Sequence, residues 1–341
     1  MYILALETSC DDTSVAIVDS EYRVLANITT AQSEHNEYGG IVPEIASRLH
    51  IKHVMKLTIK ALEQARIRLD DIDAVAVSVN PGLIGSLLVG VSFAKALSYS
   101  INKPLIAVNH LLGHIYANRL THSDSDSPEP LTAPFLALVV SGGHTELVHF
   151  KTELSFSIVG QTTDDAAGEA FDKTAKLMGL GYPGGPVIDS LSKTGNKDFV
   201  NFPRAFKQKN NYNFSYSGLK TSVLYYLKDK DQRFIQENLH HIAASVQAAI
   251  VQPLVDKTIN YALKKNIATI VLAGGVSANS MLRYKIQEKA ILYNLKVAMP
   301  PVIYCLDNAS MIGAAAIVKF KNRQFSSLDL NPFSTKGIRE V

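Results

Sequence analysis

The sequence predicts a two-lobed α/β protein built from a duplicated strand-turn-strand unit. The first observation is an internal repeat: residues 3–15, ILALETSCDDTSV, return in altered form at residues 135–147, FLALVVSGGHTEL, with Leu-Ala-Leu, Ser and Thr in register. The second is length, because 341 residues exceed what one hydrophobic core usually supports. The third is the alternation of strand meanders with helices, which indicates mixed sheets covered by helices.

The first lobe is predicted over residues 1–120. Short apolar and β-branched runs ending at turn residues predict strands, and apolar residues at helical spacing predict helices. In chain order these elements are strands at 2–7, 14–19 and 23–29, a helix opened by Pro43, a strand at 74–79, a Gly/Ala/Ser-rich helix after Leu83, a strand at 105–109 and a helix at 110–120.

The second lobe is predicted over residues 135–341, after a linker at 121–134 that carries Ser, Asp, Pro, Glu and Thr with almost nothing to bury. An insertion is expected around 179–264, beginning with a surface excursion to residue 216. The elements expected here are strands at 135–141, 145–150 and 156–160, a helix at 166–178, a helical block to 264, a strand at 268–273, a helix at 278–290, a strand at 296–299 and a helix at 308–320.

Composition narrows the class of protein. A hydrophobic fraction of 47% with 19% charged residues fits a globular chain with substantial cores, and a net charge of +3 permits a nucleic-acid partner without requiring one. Two distant cysteines, Cys10 and Cys305, predict a reducing compartment rather than a disulfide framework. The apolar stretch at residues 83–97 is too short and too interrupted to span a bilayer. We therefore expect a cytoplasmic protein with no membrane association.

Two imidazoles, His110 and His114, are spaced one helical turn apart directly after a predicted buried strand. That spacing suits one metal ion, although a chance pair on a helix surface has the same pattern. A zinc peptidase would need Glu beside the first His, and Leu111 stands there. Asp307 also follows an apolar run and precedes a helix; it can serve as the helix N-cap or complete a His/His/Asp site.

Several turns carry ligand-binding chemistry. The turn at 141–145, SGGHT, is explained by a plain hairpin or by a phosphate cradle, and only the cradle also accounts for the repeat. Glycines at 274–275 let the backbone approach a ligand or simply make a tight turn. The acids Glu7, Asp11 and Asp12 crowd one strand end, where like charges are costly without a cation or another partner. Arg204, Lys207, Lys209 and Lys220 form a basic stretch with nearby aromatics, a weak sign of RNA contact.

Taken in order, these motifs resemble one family along nearly the whole chain. The residues that carry the resemblance are 7–13 (ETSCDDT), 81–83 (PGL), the His110/His114 pair, 141–145 (SGGHT), the 164–176 helix, 182–186 (YPGGP), 214–221 (FSYSGLKT), 274–279 (GGVSAN) and Asp307-Asn308. Their order is that of the bacterial TsaD family, the tRNA N6-adenosine threonylcarbamoyltransferases formerly described as O-sialoglycoprotein endopeptidases. The linker and the last twenty residues match poorly, so nothing is carried over there.

The resemblance implies the actin-like, sugar-kinase and chaperone ATPase (ASKHA) fold, with duplicated strand-meander subdomains. It also implies a metal-dependent acyl transfer. Threonylcarbamoyl would pass from threonylcarbamoyl-AMP to the N6 amine of the adenosine 3′-adjacent to the anticodon, in tRNAs that read codons beginning with A. Such a donor is already activated, so no residue is assigned as a nucleophile.

The same resemblance implies the site residues. One divalent ion per subunit, iron with zinc as the alternative, would be held by His110, His114 and Asp307. The adenylate would be held by Val139, Val140, Ser141, Gly142, Gly143, Asp172, Gly185, Asp189 and Asn279. Two positions depart from the family pattern: Leu112 stands where many relatives carry Glu, and Asn109 where some carry His. We expect both to alter the surroundings of the metal and not its ligands.

The resemblance also implies partners: tRNA, a TsaC-type synthase that makes the donor, a TsaB-type paralogue and a TsaE-type ATPase. Apolar residues of the first lobe, including Ile41, Val54 and Ile59, are expected to be exposed for the paralogue, and Arg204, Lys207 and Lys220 to contact tRNA. Two other classes stay open on the residues alone. A kinase or chaperone-like ATPase would share the fold without needing the His pair, and a metallopeptidase would share the His pair.

Overall fold

The computed structural model describes residues 1–32, 41–121, 131–205, 210–333 and 337–338. Its strands are β1 (Tyr2–Glu7), β2 (Thr13–Asp19), β3 (Val24–Thr30), β4 (Ala74–Asn80), β5 (Leu105–Asn109), β6 (Phe135–Val140), β7 (Thr145–Phe150), β8 (Phe156–Gln161), β9 (Thr269–Ala273) and β10 (Lys296–Ala298). Its α-helices are α1 (Pro43–Ala65), α2 (Ile84–Ser100), α3 (His110–Tyr116), α4 (Ala167–Leu177), α5 (Gly184–Ser192), α6 (Ser217–Lys228), α7 (Gln232–Lys265), α8 (Ser280–Leu292) and α9 (Ala309–Lys321).

Two five-stranded sheets share one topology. The first has the order β3-β2-β1-β4-β5 and the second β10-β9-β6-β7-β8. In each sheet an antiparallel meander of three strands is extended by two parallel strands. The repeated sequences occupy equivalent central positions, since β1 pairs with β2 as β6 pairs with β7. The predicted fold class and the duplication are therefore confirmed.

The chain divides into two compact units: unit 1 comprises Met1–Leu131 and Ile303–Val341, and unit 2 comprises Thr132–Val302. This division differs from the expected boundary, which placed residues 303–341 with the second lobe. The reason is α9, which packs on the first sheet: a Cβ at Gly313 would lie 2.7 Å from Cγ2 of Val18. The Lys319 ammonium also donates to the carbonyl of Ala107 in β5.

Each unit has its own hydrophobic core. In unit 1 the core lies between the first sheet and helices α1 and α2. In unit 2 it is formed by β6, β7 and β9 with helices α4, α6, α7 and α8. The described part of the segment expected as a surface excursion and insertion, residues 179–264, contributes to this core instead: α5 buries Ile188, and α7 is buried on all sides from Ile242 to Val251. The segment is part of the globular unit.

Most element boundaries agree with the sequence prediction to within two residues. An exception is the helix expected at 110–120, where α3 ends at Tyr116 and a 3-10 turn follows at Ala117–Arg119. Most of the predicted linker, residues 122–130, lies outside the described residues. Within the described ranges, no helix is long and apolar enough to cross a membrane.

Candidate functional site

In unit 1, helix α3 begins directly at the end of β5 and brings both imidazoles to the end of the sheet. Asn109 is the N-cap: its Oδ1 atom accepts hydrogen bonds from the backbone N–H groups of Leu111 and Leu112, at 2.9 and 3.1 Å. This gives the departure at Asn109 a structural role. His110 and His114 follow within one turn, both buried, with ring centroids 4.7 Å apart and the rings nearly perpendicular.

Asp307 completes the group from the loop before α9. The N-cap of α9 is Asn308, whose Oδ1 accepts from the N–H of Met311, so Asp307 is not the cap that the sequence allowed it to be. The Oδ1 atom of Asp307 lies 3.1 Å from His114 Nε2 and 3.5 Å from His110 Nε2. One ligand atom of each residue lies within 4.8 Å of the other two. All three residues belong to unit 1.

Glu7, at the end of β1, fixes the orientation of His110. Its Oε2 lies 2.9 Å from His110 Nδ1, and its Oε1 accepts from the N–H of Ser9 at 2.5 Å. The Ser9 hydroxyl lies 3.1 Å from the same Nδ1 atom. Because a carboxylate only accepts, Nδ1 carries the proton and Nε2 faces Asp307. Outer hydrogen bonds of this kind orient metal-binding histidines.

The two imidazoles differ in charge. Burial lowers the pKa of His110, but the charges of Glu7 and Asp307 outweigh it and raise the pKa to about 9. Burial lowers the pKa of His114, and its hydrogen bond to Asp307 does not reverse the effect. The two carboxylates therefore favour the cationic form of His110, and a bound divalent ion would supply positive charge at the same place.

The turn between β1 and β2 adds further negative charge beside this group. Burial, together with the charges of Asp11, Asp307 and Glu7, raises the pKa of Asp12 to about 7. Burial and the charges of Asp11 and Asp307 also raise the pKa of the Cys10 thiol. A thiol held in its protonated form is a poor ligand and a poor nucleophile.

The donor set at His110, His114 and Asp307 fits a transition metal. Two imidazole nitrogens and one carboxylate oxygen suit iron or zinc better than magnesium or calcium, which prefer oxygen ligands. A second observation supports the fit: His114 Nδ1 is buried and has no hydrogen-bond partner among the described residues. The polar contact of this ring is made through Nε2, which lies 3.1 Å from Asp307 Oδ1, so Nε2 is the nitrogen that would face a metal held by this group.

In unit 2, the nine residues expected at the adenylate lie on one set of neighbouring segments. The turn after β6 is closed by the Ser141 N–H, which donates to the carbonyl of His144 at 2.8 Å. The carbonyl of Ser141 accepts from the N–H of Gly168 in α4. A Cβ built on Gly142 or Gly143 would meet no atom within 4 Å, so this turn borders open space. Val139 and Val140 are buried and can offer only backbone groups.

Two aspartates connect neighbouring helices of this unit to one another. Asp172 of α4 accepts a 2.7 Å hydrogen bond from the N–H of Gly184 at the start of α5, where Gly185 follows. Burial raises the pKa of Asp172 despite these backbone bonds. Asp189 of α5 accepts from the N–H and the hydroxyl of Ser280, at 3.1 and 2.7 Å. On α4 itself, Lys173 pairs with Asp165 and Glu169.

Asn279 is the last of the nine expected residues, and its side chain connects the start of α8 to α7. Its Oδ1 caps α8 by accepting from the N–H of Leu282, and its Nδ2 donates to Oε1 of the buried Gln247 at 2.8 Å. The preceding turn returns to β6, because Gly274 has φ of +86° and its Cβ would lie 2.4 Å from the Val140 carbonyl oxygen. Sequence reasoning missed Gln247, which reads as an ordinary polar residue within a long helix.

The predicted surface residues are only partly exposed. Ile41 and Ile59 are 40% and 50% exposed, but Val54 is buried against the unit 1 core, so its predicted exposure is wrong. The exposed apolar residues of α1 are instead Ile51, Met55 and Ile59, spaced four apart on one face. Arg204 and Lys220 are exposed, whereas Lys207 and Lys209 lie outside the described residues.

The chain is similar in sequence to one family of known proteins. The family model of TsaD, tRNA N6-adenosine threonylcarbamoyltransferase, matches residues 23–314. A tRNA N6-adenosine threonylcarbamoyltransferase from Clostridium botulinum is 47% identical over 330 residues, covering 96% of this chain and 95% of the relative.

Two solved structures share the fold at 15% identity. Component A of the (R)-2-hydroxyglutaryl-CoA dehydratase of Acidaminococcus fermentans aligns with a TM-score of 0.52 over 94% of this chain and 98% of its own. Full-length HypF in its phosphate- and nucleotide-bound form aligns with a TM-score of 0.60 over 94% of this chain and 46% of its own. The fold is thus of the ASKHA type.

Proposed function

The chain belongs to the TsaD family, the tRNA N6-adenosine threonylcarbamoyltransferases, and we propose a donor, a metal, an acceptor and partners for its reaction. It is a transferase that acts in tRNA modification. The observation that carries the proposal is the convergence of His110 Nε2, His114 Nε2 and Asp307 Oδ1 at the ends of β1 and β5.

The donor in this proposal is threonylcarbamoyl-AMP, bound in unit 2. The turn at Ser141–Gly143 borders open space at Gly142 and Gly143, and backbone N–H groups at such a position suit a phosphate or a developing oxyanion. Asp172 and Asp189 lie on the adjoining α4 and α5, and Asn279 at the start of α8. The donor is a mixed carbamic-phosphoric anhydride and needs no protein nucleophile, which agrees with the protonated Cys10.

The metal in this proposal is one divalent ion, iron with zinc as the alternative, held by His110, His114 and Asp307. When bound, it would supply Lewis acidity and a fixed point of positive charge for the threonylcarbamoyl group. The chain itself contributes the orientation of the ligands: Glu7 holds the proton on His110 Nδ1, and Asn109 fixes the start of α3.

The acceptor is the N6 amine of the adenosine 3′-adjacent to the anticodon, in tRNAs that read codons beginning with A. Arg204 and Lys220 are exposed and basic, as contacts to phosphates require. Lys207 is proposed for the same surface on its charge alone. The substrate, and two free cysteines in the described chain, favour the cytoplasm as the place of action.

The partners in this proposal are a TsaB-type paralogue and a TsaE-type ATPase, with a TsaC-type synthase supplying the donor. The support is the apolar stripe of Ile51, Met55 and Ile59 on α1, a helix that packs against α2, where Ile84 and Leu88 are also exposed. Exposed apolar patches of this kind mark protein interfaces.

One assay tests the proposal. Preformed threonylcarbamoyl-AMP and tRNA are mixed with the metal-loaded chain, and the paralogue and ATPase are added one at a time. We expect modified adenosine only when the chain is present, and repeated turnover only with both partners. Multiple turnover by the chain alone, at the rate of the full mixture, would refute the partner requirement.

A further inference from the structure

His50 of α1 connects that helix to the acidic turn between β1 and β2. The side chain is fully buried, and both of its ring nitrogens have partners. Nδ1 lies 2.8 Å from the Thr13 hydroxyl, and Nε2 lies 3.0 Å from the carbonyl oxygen of Cys10. One imidazole therefore contacts the chain on both sides of Asp11 and Asp12, at Cys10 before them and at Thr13 after them.

The chemistry of the two partners fixes the tautomer of His50. The carbonyl of Cys10 can only accept, so Nε2 carries the proton and donates. Nδ1 then accepts from the hydroxyl of Thr13. A neutral imidazole with its proton on Nε2 satisfies both contacts, and burial lowers the pKa of His50 and favours that neutral form.

The turn needs such an anchor because its charges repel their neighbours. Asp11 and Asp12 lie in a turn whose flanking residues contact the surroundings of the proposed metal site: the Ser9 hydroxyl lies 3.1 Å from His110 Nδ1, and the Ser14 hydroxyl accepts a 2.9 Å hydrogen bond from the N–H of Ala309, two residues after Asp307. Burial and the charges of Asp11, Asp307 and Glu7 also raise the pKa of Asp12. Like charges in a partly buried site push apart. The N–H of Leu83 donates to the Ser9 carbonyl at 2.8 Å and fixes the start of the turn. His50 fixes the stretch that carries both aspartates.

The duplicated unit supports this interpretation. In unit 2, Thr145 is the counterpart of Thr13, and its Oγ1 accepts from the N–H of Ala167 at the start of α4. Each turn is thus tied, through the Thr that follows it, to the first helix after the meander. In unit 2 the contact to the Thr comes from a backbone N–H group, whereas in unit 1 it comes from the His50 side chain. Only the contact in unit 1 can therefore be removed by substituting the residue on the helix.

We propose that His50 is a positioning residue for the transfer reaction, which holds Asp11 and Asp12 beside the His110, His114 and Asp307 group. This inference rests on the proposed function. It also connects the exposed face of α1 with the turn, because the buried His50 immediately precedes Ile51, the first residue of the apolar stripe. A partner that docks on α1 would act on the turn through this imidazole.

The test compares three variants. His50→Leu removes both hydrogen bonds and keeps a buried side chain, whereas His50→Gln keeps one donor and one acceptor. Thr58→Val is the matched control, because Thr58 is a buried polar residue on the same helix that bonds only within it, to the carbonyl of Val54. Transfer is measured as kcat and KM with the TsaB-type paralogue and the TsaE-type ATPase present, and the Co²⁺-substituted proteins are compared by visible absorption.

We expect His50→Leu to lower kcat about 10- to 100-fold with little change in the KM for the donor, since a small misplacement of charged groups costs that much. Its Co²⁺ spectrum should shift, while His50→Gln and Thr58→Val resemble the wild type. Thr13→Val is a further variant, which removes one of the two contacts of His50. Its kcat should lie between those of the wild type and His50→Leu, and it can be measured even if His50→Leu does not fold.

Two results would overturn the inference. Equal losses in His50→Leu, His50→Gln and Thr58→Val would mean that the helix is merely loosened. Unchanged kcat and spectrum in His50→Leu or, failing its folding, in Thr13→Val would mean that the turn is positioned without His50. If the wild-type chain transfers nothing, the proposed function fails, and the Co²⁺ spectra alone then decide the role of His50.

Discussion

The Nδ1 atom of His110 lies 2.9 Å from Oε2 of Glu7, a residue 103 positions earlier in the chain. The contact joins the end of β1 to the start of α3. It leaves Nε2 of His110 facing Asp307, so it prepares one of the three proposed metal ligands.

We predict that Glu7→Gln weakens metal binding about 10- to 100-fold, because the neutral amide no longer raises the basicity of the imidazole. Competition with a coloured chelator measures the affinity. Asp19→Asn is the control, since it also neutralises a buried carboxylate of unit 1, one that pairs with Arg23. Equal affinity in Glu7→Gln and the wild type would mean that Glu7 does not support a metal ligand.

Asp172→Ala and Asn279→Ala should each weaken adenylate binding about 10- to 100-fold. A loss of this size is expected when a hydrogen bond to a charged ligand, or a residue that shapes the ligand's pocket, is removed. Isothermal calorimetry with a non-hydrolysable donor analogue gives the affinity. Asp172→Asn removes the charge but keeps one side-chain oxygen, which can still accept the hydrogen bond from the N–H of Gly184. This variant therefore separates the effect of the charge from the effect of that hydrogen bond.

The control for this pair is Asp256→Asn, an exposed carboxylate of α7 in the same unit. If both Asp172→Ala and Asn279→Ala bind the analogue as the wild type does, the nucleotide has been assigned to the wrong residues.

The sequence predicted the architecture because its signal is local and repeated. The Leu-Ala-Leu segments and the Ser and Thr in register predicted two equivalent hairpins, and β1–β2 and β6–β7 are those hairpins. The spacing of His110 and His114 likewise needs only one helical turn. These predictions required no knowledge of how distant segments meet.

Other features depend on long-range packing. Asp307 belongs to unit 1 because α9 returns to the first sheet, which no local pattern indicates. His50 and Glu7 contact partners that lie 37 and 103 positions away in the chain, so no local pattern reveals these contacts. Val54 was expected to be exposed because helical spacing defines a face of α1 without saying which face meets the core.

The triple variant Ile51→Glu, Met55→Glu and Ile59→Glu should abolish binding of a TsaB-type paralogue and leave the fold intact, since these side chains are 50–66% exposed. Analytical ultracentrifugation of the mixture measures the complex. Ile291→Glu with Leu292→Glu on α8 is the control, because these residues are similarly exposed but belong to unit 2. A complex that survives the α1 substitutions would place the interface elsewhere.

Neutralising Arg204, Lys207 and Lys220 together should flatten the salt dependence of tRNA binding. Each phosphate contact contributes about 0.7 to 0.9 to the slope of log affinity against log salt concentration, so loss of three contacts lowers the slope by about 2 to 3. Filter binding over a range of salt concentrations supplies the slope. An unchanged slope would remove these residues from the tRNA surface.

The most direct test of the account is single-turnover transfer of threonylcarbamoyl from the preformed adenylate to tRNA, with metal content measured on the same samples. We predict that the metal-loaded wild type forms the modified adenosine, and that His110→Ala/His114→Ala loses both the metal and at least about 100-fold of the rate, as expected when transition-state stabilisation by a bound ion is removed. Full metal occupancy in the folded double variant, or transfer at the wild-type rate without metal, would contradict the account.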